Sequence, residues 1–234
     1  NRYRAPVNPT RSMEPGDDRA GVPPGDTAHG YTLEFQIRSL SMTPRILAFS
    51  GSLRKDSINH RLVSIAAEGV RQAGGEATII RLHDYPLPIF NEDQESEYLE
   101  VKPLHDLRDL FQGHHGFLIA SPEYNGSVSA ALKNTIDWLS RREEGQPPLA
   151  CFRHKVAGLL SASPGHLGGI RGLSSLRGIL THIQVLVLPQ QVAVGQGHTN
   201  ISEEGVVTPD FLHDQVMELG KAVADTARKV HGTD

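Results

Sequence analysis

Two hydrophobic rhythms alternate along this chain from residue 45 onward, and that alternation constrains the fold more than any other feature. Short apolar runs read as strands over 45–50, 77–82, 115–121, 155–161 and 184–189. Between and after them, apolar residues recur every three to four positions, which predicts helices over 59–73, 103–112, 129–141, 168–182 and 211–230. Leu62, Ile65, Ala66 and Gly69 share one helical face; Leu212, Val216, Leu219, Val223, Ala227 and Val230 share another. Strands that are apolar throughout are buried on both faces, and helical connections make neighbouring strands parallel. Right-handed crossovers leave few topologies. The expectation is an α/β three-layer sandwich, a five-stranded parallel sheet in the order 2-1-3-4-5 with helices on both faces. Its ligand crevice lies beyond the ends of strands 1 and 3.

Residues 1–41 are different material, with Pro6, Pro9, Pro15, Pro23 and Pro24, mixed charges and little apolar periodicity. Such a segment buries too little to offset its ordering entropy. We expect a disordered extension over 1–41 and one domain over 42–234, so that trimming to Met42 leaves folding and ligand binding intact. A net charge of −4 with no basic stripe argues against a nucleic-acid partner, and no apolar run reaches membrane-spanning length. Cys151 is the single cysteine, which rules out an intrachain disulfide and a CxxC pair and fits a cytoplasmic setting. The histidines are scattered; His114 and His115 are adjacent rather than four apart, so no metal site is expected and surface or core roles are.

Chemistry concentrates in the loops that follow strands 1 and 3. The first runs Ser50-Gly51-Ser52-Leu53-Arg54-Lys55-Asp56-Ser57-Ile58-Asn59 into a helix. A phosphate monoester needs hydrogen-bond donors, and a helix N-terminus offers unpaired N–H groups and the positive end of a dipole. Hydroxyls of Ser50, Ser52 and Ser57, the Asn59 amide and the forked Arg54 guanidinium add to them. Taken singly, Ser57 or Asn59 is more often a helix cap than a ligand; several such groups after a buried strand favour phosphate. GxGxxG and GxxxxGK[ST] are both absent, which favours a mononucleotide over a dinucleotide. The second loop, Ser121-Pro122-Glu123-Tyr124-Asn125-Gly126, suits the polar edge of a flat heterocycle, although its residues also suit an ordinary strand-to-helix turn. A third loop, Ser161 to Arg171, leaves strand 4 at the same edge; its Gly168-Gly169 pair reads equally as a flexible helix entry or as room for a ligand.

These loops resemble those of the NAD(P)H-dependent FMN reductase family of the flavodoxin-like superfamily, which includes quinone and chromate reductases. The resemblance runs from about Ile46 to Ala193. It rests on Gly51-Ser52-Leu53-Arg54 with Ser57 and Asn59, on Pro122-Glu123-Tyr124-Asn125, and on Leu132-Lys133-Asn134 with Ile136-Asp137-Trp138. It implies that Ser52, Arg54, Ser57, Ile58 and Asn59 hold the phosphate of FMN. Pro122, Glu123, Tyr124 and Asn125 would hold the isoalloxazine ring, and Ser161 or Ser163 would face the flavin from the strand-4 loop. It also implies NADPH or NADH as co-substrate and a homodimer or homotetramer, with the helix carrying Trp138 and Arg141 near the interface; the residue pattern itself favours a core role for Trp138.

In that reading the cofactor carries the hydride chemistry and the protein supplies position and electrostatics, so no catalytic side chain is named. The electron acceptor would be a small molecule: a quinone, free flavin, azo compound or metal oxyanion. The alternatives are an electron carrier or a flavin-binding sensor on the same fold, without NAD(P)H turnover.

Overall fold

The computed structural model describes residues 42–99 and 101–232; the extension expected over 1–41 lies outside the described residues. In chain order the elements are β1 (Arg45–Ser50), α1 (Ile58–Gln72), β2 (Glu76–Arg81), α2 (Glu95–Tyr98), α3 (Lys102–Gly113), β3 (Gly116–Ala120), α4 (Ala130–Leu139), β4 (Val156–Ala162), α5 (Ile170–His182), β5 (Leu186–Val194), α6 (Gly197–Asn200) and α7 (Asp210–His231). The five strands form one parallel sheet in the order β2-β1-β3-β4-β5, as expected. Among the described residues no helix is long and apolar enough to cross a membrane.

Alternation along β1 sorts the core into two layers. Ile46 and Ala48 point to a cluster built with α1 and α7, including Leu62, Ala66, Val216 and Val223. Leu47 and Phe49 point the other way, to Leu104, Phe111, Leu132 and Leu173 of α3, α4 and α5. Both sets are 0–1 % exposed, which is why this strand reads as an unbroken apolar run rather than as an alternating one.

Two elements depart from expectation. The strand expected to end at Pro189 continues to Val194. Its pairing with β4 shifts register between Ala157 and Leu159, which face Val187 and Gln191. Pro189 falls inside that bulge, on an edge strand, where a missing N–H disrupts no ladder. The long loop after β2 is ordered by α4. Asn134 accepts from Phe90 N–H and donates to Pro88 O, both at 2.8 Å, and Trp138 Nε1 donates to the same Pro88 oxygen at 2.8 Å. Trp138 is buried between Phe90 and Tyr98, in the core role that its sequence context favours. Arg141 forks onto Glu95 at 2.9 and 3.0 Å and lies over the Phe90 ring.

Candidate functional site

Loops 51–57, 121–129 and 163–169 leave β1, β3 and β4 at one edge of the sheet. Because β1 and β3 are neighbours, the first two loops touch. Gly51 N–H donates to Ala120 O at 2.9 Å, and Ser129 Oγ donates to Gly51 O at 2.5 Å. Ser129 also caps α4, accepting Leu132 N–H at 3.2 Å, so one hydroxyl ties a helix start to the neighbouring loop.

The first loop is shaped by its serines. Ser50 Oγ accepts Ser52 N–H at 3.1 Å, and Ser52 Oγ accepts Arg54 N–H at 3.3 Å. Ser57 is the N-cap of α1, its hydroxyl accepting His60 N–H at 3.2 Å. The N–H groups of Ile58 and Asn59, in the first turn, meet no acceptor among the described residues. The exposed Arg54 side chain makes no hydrogen bond or ion pair among the described residues. Unpaired backbone donors, a positive helix end and an uncommitted guanidinium are the groups that an anion site requires.

The Asn59 side chain is committed elsewhere. Its amide oxygen accepts Ala162 N–H at 2.8 Å and its Nδ2 donates to Ala162 O at 2.8 Å, with the residue 3 % exposed. It imitates one more strand pairing against the end of β4 and keeps one N–H to offer.

In the second loop, Tyr124 and Ser127 exchange backbone hydrogen bonds of 3.0 and 3.1 Å around Asn125 (φ +53°) and Gly126 (φ +78°). That is the Asn-Gly hairpin turn whose central residues both need positive φ. It holds the Tyr124 ring up from the edge, half exposed.

Glu123 points beneath the loop. Its carboxylate accepts the N–H groups of Arg171 and Gly172, each at 3.1 Å, and the Arg171 guanidinium through Nε at 2.9 Å and Nη2 at 2.6 Å. The N-cap position of α5 is Gly169, which has no side chain, so Glu123 supplies the cap from another loop. Burial disfavours its charge, but the N–H donors of Gly172 and Arg171 outweigh that and hold the carboxyl below its usual range.

The strand-4 loop explains its glycines. Gly168 and Gly169 have φ of +62° and +88°. A Cβ on Gly168 would lie 2.7 Å from Ala193 C, and one on Gly169 would lie 2.0 Å from Ser161 Oγ. The pair therefore packs against β5 and β4 rather than giving a flexible entry. Ser161 is fully buried beneath Gly169, with no hydrogen-bond partner for its hydroxyl among the described residues, and borders neither recess described next. Ser163 borders both.

A narrow recess of about 70 Å³ is lined by Ser52, Arg54, Ser57, Ile58, Asn59, Pro122, Glu123, Tyr124 and Ser163. An open cleft of about 670 Å³ adjoins it, sharing Glu123 and Ser163 and adding Asn125, Gly126, His166, Leu167 and Arg171. Every candidate site residue except Ser50 and Ser161 thus borders at least one of the two, the Ser50 hydroxyl being buried against Ser52 N–H. His198 of α6 also lines the narrow recess. It follows the turn at Gln196 (φ +50°), beyond the expected end of the fifth strand, and no sequence signal marked it. Ser163 O fixes α6 by accepting Gly197 N–H at 2.8 Å.

Residues 44–199 match the family model described as NADPH-dependent FMN reductase. An NADPH azoreductase of Bacillus sp. (strain OY1-2) is 32 % identical over 57 % of this chain and 69 % of its own length. An NAD(P)H-dependent FMN reductase of Pseudomonas aeruginosa is 29 % identical over 80 % of this chain and 97 % of its own. Among solved structures, the flavoenzyme FerB of Paracoccus denitrificans, an NAD(P)H:(acceptor) oxidoreductase, superposes with a TM-score of 0.67 and 26 % identity, covering 80 % of this chain and 98 % of FerB. With a family match across two thirds of its length and the three loops assembled at one sheet edge, the chain belongs to the NADPH-dependent FMN reductase family.

Proposed function

We propose that the narrow recess takes the phosphate of FMN, that the adjoining cleft takes its ring system and the two substrates in turn, and that the acceptor is a quinone, free flavin, azo compound or metal oxyanion. The enzyme class follows from the family: an NAD(P)H-dependent flavin oxidoreductase. One observation carries the assignment of phosphate to the recess. The start of α5 is filled by the Glu123 carboxylate, while the start of α1 keeps two unpaired N–H groups beside Arg54, which has no partner among the described residues. A dianion is repelled from the first and attracted to the second. That polarity lays the flat end of the ligand toward Tyr124, Asn125 and the strand-4 loop.

Ser52, Ser57, the Ile58 and Asn59 N–H groups and Arg54 would hold the phosphate; Pro122, Tyr124, Asn125 and Ser163 would border the ring. The residues fit the group, because the donors are those that the fold leaves unpaired and the cleft volume lies in the range of small-molecule sites. When bound, FMN supplies hydride acceptance from NAD(P)H and onward electron delivery. The chain's own part is to bind, orient and leave one side of the cleft open for exchange. The relatives' names support quinone and azo acceptors in particular. The same reading carries a homodimer or homotetramer, which light scattering decides, and a cytoplasmic setting, which localisation of a tagged chain decides. Its direct test is an absorption spectrum after adding FMN and desalting, then anaerobic NADPH. Retention and bleaching of the flavin band are expected. Retention without bleaching would point to a carrier or sensor, and loss of the band would overturn the phosphate assignment.

A further inference from the structure

We propose that Glu123 is a positioning residue that makes the two walls of the cleft one mechanical unit, by capping α5 from the β3–α4 loop. The inference rests on the cleft being the cofactor and substrate site. Glu123 leaves β3 three residues past its end, directly before the turn that carries Tyr124 and Asn125. Its carboxylate reaches the first turn of α5, whose preceding residues 163–169 form the opposite wall.

Four hydrogen bonds converge on two oxygens. Oε2 takes the backbone N–H groups of Arg171 and Gly172; Oε1 takes the Arg171 guanidinium. The side chain is 8 % exposed, whereas that of Arg171 is 66 % exposed. This asymmetry separates the roles. The backbone pair, bound to a carboxylate that is itself largely covered, fixes where α5 begins, and the solvated guanidinium adds a screened ion pair of smaller weight. Nothing local substitutes for the carboxylate, since Gly168 and Gly169 carry no side chain and their positive φ bars most others. Close packing enforces the same register: a Cβ on Gly172 would lie 3.3 Å from Glu123 Cβ, and one on Gly169 3.4 Å from it. Without the cap, the start of α5 frays and the strand-4 loop no longer keeps its distance from Tyr124 and Asn125. Substrate and cofactor affinity then fall through displacement of the two walls, between which Glu123 borders both recesses.

The test compares Glu123→Ala, Glu123→Gln and Arg171→Gln with the parent chain. Amide hydrogen exchange is measured first on the flavin-free proteins, then FMN affinity by fluorescence titration and KM against kcat for NADPH. Glu123→Ala should speed exchange across 163–173 at least tenfold and leave that of 60–70 in α1 unchanged. Glu123→Gln keeps an acceptor oxygen for the backbone pair and should recover part of that protection; Arg171→Gln should change it less than threefold. The dissociation constant of FMN and the KM for NADPH should follow the same order, at least tenfold for Glu123→Ala, with kcat changing less than KM. Unchanged exchange over 163–173 would overturn the cap. Faster exchange with FMN affinity and KM within twofold of the parent would overturn the coupling to the cleft. Equal effects of Glu123→Gln and Glu123→Ala would overturn the backbone pair as its carrier. Should the parent chain fail to bind FMN, the functional assignment fails, and with it the coupling, whereas the exchange order still decides the cap.

Discussion

Replacing Asn59 with alanine isolates its helix-to-strand clamp from the phosphate contact proposed for its backbone N–H, which the substitution keeps. The substitution removes a buried amide whose oxygen and nitrogen each bond Ala162 at 2.8 Å. Ala162 is 2 % exposed, so its N–H and C=O lose their partners with little access to water. An orphaned buried donor or acceptor costs about 1–3 kcal/mol, and two of them place the loss at about 2–6 kcal/mol. Against a typical domain stability of about 5–15 kcal/mol that is a large fraction. With a urea m-value of about 2 kcal/mol/M, the midpoint of the flavin-free protein should fall by about 1–3 M. Glu123 and Arg54 lie outside this pair, so the loss needs no ligand. A second variant, Asn59→Asp, keeps an acceptor for Ala162 N–H but turns a carboxylate oxygen on Ala162 O. It should be at least as destabilising at neutral pH as alanine. A midpoint shift in Asn59→Ala worth less than about 0.5 kcal/mol would refute the clamp, because it would mean that Ala162 needs no partner.

Arg54→Ala should weaken FMN binding by about 1.5–3 kcal/mol, the weight of a charged hydrogen bond, with little change in urea midpoint because the side chain bonds nothing among the described residues; isothermal titration checks it. Gly220→Ala and Gly178→Ala should have opposite signs. A Cβ on Gly220 would lie 2.0 Å from Ala66 O in α1, so overpacking of about 1–3 kcal/mol exceeds a helix-propensity gain of up to about 1, while Gly178 has nothing within 4 Å and should gain roughly 0.5–1 kcal/mol, both read by thermal melting. Acidification should destabilise the far end of the sheet. Burial first, then Arg45, His231, Lys155 and His114, push His115 down to about 4, and its Nδ1 accepts Arg45 N–H at 2.9 Å, a bond that only the unprotonated nitrogen can make. The folded state therefore binds fewer protons than the unfolded one. Stability of about 1–2 kcal/mol, discounted for solvent screening of a partly exposed ring, is present above pH 6.5 and should be lost as pH falls toward 4; a His115→Gln variant should show a flatter urea midpoint over that window.

Strand number, sheet order and edge were legible because they depend on local pattern. Runs such as Ile46–Phe49 and Phe117–Ala120 are apolar because both faces are covered, and each helix keeps a 3.6-residue stripe whatever it packs on. The fifth strand outruns its expected length because a proline ordinarily ends a ladder; only the edge position of β5 and its bulge let the chain continue to Val194. The cluster of donors after β1 was legible too, since donors at a helix start lie close in sequence.

Local pattern is thus enough to specify the α/β order of the fold and the two loops that meet at its switch point. Which polar groups in those loops remain unpaired is a matter of tertiary contact. A side chain's availability depends on what lies across space. Asn59 meets Ala162, Glu123 meets the first turn of α5, and Ser161 is covered by Gly169, all through contacts that a local motif does not encode. Arg54 meets no partner among the described residues. His198 enters the site only because Ser163 O and Gly197 N–H join two loops distant in sequence. Hydrogen-bonding capacity is finite, so a residue type names what a site can do, and the partners already taken decide what is left for a ligand.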